Sequence, residues 1–366
     1  MSPRRRGARP VPAGPFGAVV TFHATGAGVQ CAPAKSTSSA PDAWNRAGWL
    51  LVERDIPEVR LRITLIHNPN AGEGATDAES LIEAIRAAGH SVHYRNSKDP
   101  ALEQALRWPA DLIVAAGGDG AVSRVLKQLP EDAPPLTILP LGTANNIAAS
   151  LGIEGPRERL IAGWDGSPTR RMDIGMVYSA DGERLVVEGI GIGAVAAAMR
   201  KLDDISGPRR NQISRARKGI RKAVARKKPR SLELDVDGGR GRFDVIFAEI
   251  TNIRRIGPRI DMAPSADPGD GQAELVFLLP ERRKEMMAWL EGEDWSAAPP
   301  LECLHGREIT ILRAHKRLRV DDDLDVPISS LPLTLDMGRR AGGSWSARST
   351  GRNRPIPASS GVHSPP

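Results

Sequence analysis

Three times in its first half the chain runs a short apolar strand into a glycine-bearing turn and then into a helical pattern. RLRITLIH (60–67) ends at NPNAGEG (68–74), DLIVAA (111–116) at GGDG (117–120), and PLTILPLG (135–142) runs into PLGTANN (140–146). Between them, Leu81, Ile82 and Ile85 recur at helical spacing over 76–88, with Gly89 as a stop. Val122, Val125, Leu126 and Leu129 share one side of 121–129, and Thr143 is placed as the N-cap of a further helix. SVHYR (91–95) adds an alternating strand. Strands separated by helices lie parallel and are covered on both faces. Ligands of such a sheet collect at the carboxyl ends of its strands, so the three turns are expected to converge on one edge.

The second half has a different rhythm. RRMDIGMVYS, RLVVEGIGIG, RSLELDVDG, GRFDVIFAEITN, GQAELVFLLP, REITILRA, RLRVDDD and LPLTLDM are short, alternating and turn-bounded, as in an antiparallel sheet or sandwich. The expected fold class is an α/β nucleotide-type domain (58–165) followed by a β-rich sandwich domain (166–338). Residues 1–57 and 339–366 are rich in Pro, Gly, Ser and Arg without lasting period and are expected to be disordered.

Two cysteines without metal or redox spacing fit a reducing cytoplasm. No apolar run approaches the roughly 20 residues that span a bilayer, and the stretch after MSPRRR resembles a signal peptide only weakly. Net charge is +7, but residues 200–230 hold 13 Lys/Arg against two Asp, leaving the rest of the chain acidic. Within that segment QISRARKGIRKAVARKK (212–228) sets Ile213, Ala216, Ile220, Ala223 and Val224 in a narrow apolar stripe among cations. Such a helix either covers the second domain's sheet or docks on an anionic membrane, which implies peripheral association. No aromatic residue is interleaved to stack bases, so nucleic acid is not an expected partner. The histidines lack metal spacing, and a homodimer is compatible with the sequence without being marked by it.

None of the turns is a Walker loop or a GxGxxG fingerprint. Asp119 discriminates among readings: an acid among phosphate-binding amides repels phosphate unless Mg²⁺ intervenes or the acid handles a proton. The bland alternative is that Asp119 caps the helix starting at Ala121. ADPGDG (266–271) sets Asp267 and Asp270 three residues apart on a turn, which suits a hard cation or an ordinary Asx turn. VDDD (320–323) crowds like charges, as at a general base, a metal site or a solvated hairpin.

HNPNAG, GGDGAVSRVL and LPLGTANNIAASLG resemble, in order and spacing, the three signatures of the diacylglycerol kinase catalytic domain superfamily, which includes bacterial lipid kinases and sphingosine kinases. GIGIGAVAAAM (189–199), MAPSADPGDGQAELVF (262–277) and RLRVDDD (317–323) are similar to its later segments. The resemblance implies an ATP- and Mg²⁺-dependent kinase of a lipid hydroxyl. It places Asn68 and Gly72 in the first nucleotide turn, Gly117, Gly118, Asp119 and Gly120 along the phosphates with Asp119 near Mg²⁺, and Gly142, Thr143, Asn145 and Asn146 in the third wall. It also implies Asp321 as general base with Asp323 beside it, Asp173 as an acid linked to the nucleotide site, and Asp267 and Asp270 as ligands of a structural Mg²⁺. Asn146 stands where the family usually has Asp, Ala121 for Thr, Ala71 for Ser, and Ser123 and Arg124 for Asn and Glu. Asp322 replaces the Gly of a turn, where a left-handed backbone would be strained. Two rivals stay open: a kinase of a soluble acceptor such as NAD, and a catalytically weak member that binds nucleotide or membrane.

Overall fold

The computed structural model describes residues 60–72, 76–202, 209–292, 297–315, 317–338 and 345–348. The expectation for 1–57 lies outside these residues, as does that for 339–366 apart from one strand.

The first half alternates as its pattern dictates: β1 (Arg62–His67), α1 (Ala78–Ala87), β2 (Ser91–Asn96), α2 (Leu102–Ala105), β3 (Leu112–Gly117), α3 (Asp119–Gln128), β4 (Leu136–Pro140), α4 (Asn146–Ser150), α5 (Arg157–Ala162) and β5 (Thr169–Met172). Asp77 accepts a hydrogen bond from the Ser80 amide at 3.1 Å and so starts α1. Its periodic residues Leu81 and Ile85 are fully buried against the sheet. The strands β1, β2, β3 and β4 pair in parallel, in the order β2-β1-β3-β4.

The second half contributes β6 (Gly175–Ser179), β7 (Gly182–Val186), β8 (Gly189–Gly193), α6 (Ala194–Leu202), α7 (Arg209–Arg226), β9 (Arg230–Val236), β10 (Gly239–Val245), β11 (Phe247–Thr251), β12 (Arg255–Ile256), β13 (Ile260–Asp261), β14 (Ala273–Leu278), α8 (Arg283–Glu291), β15 (Glu302–Gly306), β16 (Glu308–Arg313), β17 (Leu318–Val320), β18 (Asp323–Val326) and β19 (Leu333–Asp336). Two antiparallel sheets result, β10-β9-β16-β19-β6-β7 and β15-β14-β11-β8-β17-β18. Alternate residues of one (Leu232 and Leu234, Ile309 and Ile311, Leu333 and Leu335) share a core with those of the other (Ile190 and Ile192, Ala248 and Ile250, Leu275 and Phe277). Period-two patterning therefore makes a sandwich. The outer face of the second sheet is covered by α6, α7 and α8 through Val195, Ile220, Val224 and Met286.

Two expectations are corrected. The last strand, β20 (Trp345–Arg348), lies in the stretch expected to be disordered; it inserts between β4 and β5, parallel to the first and antiparallel to the second. β5 thus belongs to the first sheet, and the change of sheet falls between Met172 and Gly175 rather than near 165.

The GIGIG segment is β8. Its isoleucines point into the sandwich and Gly191 lies on the other face, where it is the register partner of both Glu249 and Arg319. A Cβ on Gly191 would come within 2.7 Å of the Glu249 carboxylate and 2.9 Å of Arg319 Nε. The glycine leaves room for an ion pair, Arg319 Nη2 to Glu249 Oε2 at 2.8 Å, whose side chains are 3% and 0% exposed. Losing one member of a buried pair strands a charge, whereas replacing both with apolar groups need not. Arg319→Met alone is expected to cost about 3–5 kcal/mol in urea unfolding, and Arg319→Met with Glu249→Leu to recover most of that loss.

Candidate active site

The three glycine turns touch one another. A Cβ on Gly142 would lie 2.3 Å from the Gly118 Cα, and one on Gly72 (φ +85°) 2.3 Å from the Leu141 carbonyl oxygen. Here the absence of side chains lets loop pack on loop, a different purpose from letting phosphate approach. Gly117 is buried at the end of β3, where a Cβ would press on Ala121. Gly120 has open space beside it and faces the cleft.

Two cavities meet over these turns. One, of about 290 Å³, is lined by Asn68, Gly118, Gly142, Lys98 and Arg124. The other, of about 380 Å³, is lined by Thr143, Asn146, Glu188, Met199, Ile213 and Asp321. Asp119, Gly120 and Asp322 line both and form the wall between them. Of the expected nucleotide residues, Asn68, Gly118, Asp119, Gly120 and Gly142 border the first cavity, Thr143 and Asn146 only the second. Gly72, Gly117 and Asn145 shape the loops from behind.

Asp119 does not cap the helix it begins. It sits in the first turn of α3, and its Oδ1 accepts from the Ile147 amide of α4 at 3.0 Å. Burial pushes its carboxyl up, while the amides of 145–147 and the Arg259 charge oppose the rise. Thr143 is not an N-cap: α4 starts at Asn146, preceded by a left-handed Asn145 (φ 53°) whose side-chain Nδ2 donates to the Gly142 carbonyl at 2.8 Å. Thr143 Oγ1 instead hydrogen-bonds Gln212 Oε1 of α7 at 3.1 Å. Asn146 Nδ2 donates to the Gly257 carbonyl at 2.8 Å. An aspartate there would set a carboxylate against that carbonyl, so the amide has its own local reason.

Asp321 borders the second cavity, where its carboxylate already has four donors. Oδ1 accepts from the Glu188 and Gly189 amides at 2.8 and 3.0 Å, and Oδ2 from the Val187 amide at 3.0 Å and Lys127 Nζ at 2.8 Å. Four donors fill the lone-pair sites of a carboxylate. These donors make the residue a buried anchor of the turn, and it borders the cavity as well. The left-handed position of the turn is also Asp321 (φ 50°), so the strain expected at Asp322 does not arise there. Asp323 is outside the cleft and pairs with Arg184 at 3.1 Å; Asp322 faces it instead.

The remaining acids lie apart. Asp173 accepts from Arg171 Nε at 3.0 Å and the Gly271 amide at 2.7 Å, pinning the ADPGDG loop and not reaching the nucleotide turns. Asp267 Oδ1 takes Arg170 Nη2 at 2.6 Å and the Gly269 amide at 3.0 Å, and Asp270 Oδ1 the Gln272 amide at 2.9 Å. Burial, with Asp267, Asp173 and Glu274 nearby, raises the Asp270 carboxyl. Among the described residues no group of three or more His, Cys, Asp or Glu side chains is arranged to hold a metal ion. At Asp267 an arginine supplies the positive charge expected of Mg²⁺.

Glu188 was not foreseen. It lines the second cavity, and burial, with Asp119, Asp321 and Asp322 next, pushes its carboxyl up to about 8 against the pull of Arg319. One signal was present, an acid interrupting the Val/Gly/Ile run VVEGIGIG. An acid whose pKa rises on folding contributes stability below its ordinary range, and this is lost as pH climbs through the folded value. Glu188→Gln keeps the neutral form at every pH. Without nucleotide, the melting-temperature advantage of Glu188→Gln over wild type is therefore expected to widen from pH 5 to pH 9; a constant difference would contradict the shift.

The stripe on α7 is used up inside the protein. Ile220 and Val224 are fully buried, and Ile213 and Ala216 line the cleft. Arg215, Lys218, Lys222 and Arg226 remain on its exposed face. Among the described residues no helix is long and apolar enough to cross a membrane.

The diacylglycerol kinase catalytic domain matches residues 62–177 and the YegS C-terminal NAD kinase beta sandwich-like domain residues 188–337. A diacylglycerol kinase of Bacillus subtilis is 28% identical over 236 residues, covering 59% of this chain and 73% of the relative. The lipid kinase YegS of Escherichia coli is 40% identical over 91 residues, 22% of this chain and 30% of that protein. A crystal structure of a diacylglycerol kinase from Bacillus anthracis superposes with a TM-score of 0.60 at 17% identity, over 80% of this chain and 99% of that one, a likeness of fold. With both domains matched in order over one parallel sheet and one sandwich, the chain belongs to the diacylglycerol kinase catalytic domain superfamily of kinases.

Proposed function

We propose that this protein transfers the γ-phosphoryl group of ATP to the hydroxyl of a membrane lipid of the diacylglycerol type. The observation that carries the reading is the pair of cavities meeting at Asp119, Gly120 and Asp322. A nucleotide in the glycine-turn cavity would set its phosphates beside Lys98 and Arg124, and an acceptor in the other would reach them across the shared wall. Phosphoryl transfer depends mostly on positioning and charge neutralisation; the wall would serve the first, and Lys98 and Arg124 would contribute to the second. Asp119 is held rigid by α4, so it cannot swing away when charge moves. The acceptor side carries apolar walls from Met199, Ile213, Ala216 and Leu324, as an acyl-bearing substrate requires.

Mg²⁺ fits this wall in the form it usually takes, with one or two carboxylates and the rest of its shell from phosphate and water. Asp119 and Asp322 would hold it, and it would neutralise triphosphate charge that the two acids alone would repel. The exposed cations of α7 extend the reading to the membrane: with the apolar stripe buried, contact with an anionic surface would be electrostatic rather than by insertion.

With radiolabelled ATP, label is expected in the lipid phase of dioleoylglycerol-containing vesicles and not in NAD, and Asp119→Ala is expected to lower turnover at least about 100-fold. Label in NAD alone would refute the lipid reading. Lys218→Ala with Lys222→Ala is expected to weaken binding to phosphatidylglycerol vesicles roughly 10- to 30-fold, leaving turnover of a short-chain dispersed substrate unchanged.

A further inference from the structure

The three glycine turns are not the whole rim of the first cavity. β1, β2, β3 and β4 run parallel, so a fourth strand end reaches the same edge, the turn after β2. Ser97 and Lys98 of that turn line the cavity with Asn68. The turn has no glycine, and hydrogen bonds set it instead. The Ser97 amide donates to the His67 carbonyl at 2.8 Å, and the Lys98 amide to Asn96 Oδ1 at 2.9 Å. Arg124 stands on α3 four residues after Gly120, and so on the same face of the helix. Among the described residues the charged groups of this cavity are Lys98, Arg124, Asp119 and Asp322. They are sorted by place: both acids also border the second cavity, and neither cation does. No ion pair or side-chain hydrogen bond engages Lys98 or Arg124 among the described residues, and both are exposed. Arg95, on the strand leading to Lys98, is by contrast committed to Asp99 at 3.0 Å and to the Trp108 ring.

We propose that Lys98 and Arg124 form a subsite that binds the two phosphates of a nucleoside diphosphate without a metal ion, and that only the third phosphate, beside Asp119 and Asp322, requires one. The inference rests on the kinase reading above, which fixes the direction of the phosphate chain. A γ-phosphate that is transferred across the wall lies at the wall, which leaves the α- and β-phosphates on the side of the cations. The planar fork of arginine matches two phosphate oxygens, and lysine adds a point charge. Two fixed cations offset most of the charge of a diphosphate, so Mg²⁺ adds little there. At the wall the balance is reversed: a γ-phosphate would face two carboxylates, and like charges so placed repel until a cation intervenes. Arg124 stands where the family usually has Glu, so the subsite belongs to this chain rather than to its fold.

The test is calorimetric titration of the full chain with ADP and with ATP, each in EDTA and in MgCl2, with no acceptor present. For the wild type, Kd for ADP is expected to differ less than about threefold between the two conditions, and Kd for ATP to tighten about 10-fold or more with MgCl2. Arg124→Glu is expected to weaken ADP binding about 30-fold or more in EDTA with the melting temperature near wild type, and Arg124→Lys to retain part of the affinity. Lys98→Ala, on a separate turn, is expected to weaken it about 10-fold and carries the test if the helix variant loses stability. ADP binding that disappears in EDTA would overturn the assignment, as would wild-type affinity for ADP in both Arg124→Glu and Lys98→Ala. A wild type that binds ADP as expected but labels neither dioleoylglycerol vesicles nor NAD keeps the subsite and refutes the transfer. A wild type that binds neither nucleotide in either condition removes both.

Discussion

The buried carboxylate of Asp321 sets the geometry on which the cleft depends. A charge so deep needs full compensation, and its donors come from both halves of the protein. The amides of 187–189 belong to the link from β7 into β8 in the sandwich half, and Lys127 to the last turn of α3 in the α/β half. Because α3 begins at Asp119, one helix carries an acid of the cavity wall at one end and the sandwich-binding lysine at the other. A shift of either half would break a charged hydrogen bond in a dry place, so the distance across the cleft is closely held.

That anchorage also explains how so many acids share one cleft. Asp321 is neutralised where it lies, Asp119 is held by the amides at the start of α4, and Asp322 stands in solvent. The repulsion left over falls on Glu188, whose side chain has no ion-pair partner among the described residues and which responds by holding its proton more tightly. Lys98 and Arg124 border the first cavity and Glu188 the second, a polarity that on the proposed reading suits an anionic donor and a neutral hydroxyl.

Much of this was legible in the sequence because it is local. The strand–turn–helix units, the sandwich strands and the meeting of three glycine turns follow from periods of two and 3.6 and from turn residues. What escaped depends on distant partners. Thr143 has the side chain of an N-cap, yet Gln212, 69 residues away, takes its hydroxyl. VDDD reads the same whether its first acid is solvated or saturated by amides 132–134 residues earlier. A glutamate inside an apolar run has no period to announce it. Nor does the sequence say that Asp173 and Asp267 pair with arginines two and 97 residues away.

The strand Trp345–Arg348 carries a consequence for how the molecule is made. It fills the gap between β4 and β5, so the sheet assembled by the first third of the chain stays open until some 200 further residues have been synthesised. On the ribosome, β4 emerges with one edge unpaired and keeps it through the birth of the whole sandwich. An unprotected edge of this kind is where sheets pair wrongly. The α/β half thus precedes the sandwich along the chain yet closes after it, and its completion is tied to the arrival of Trp345–Arg348.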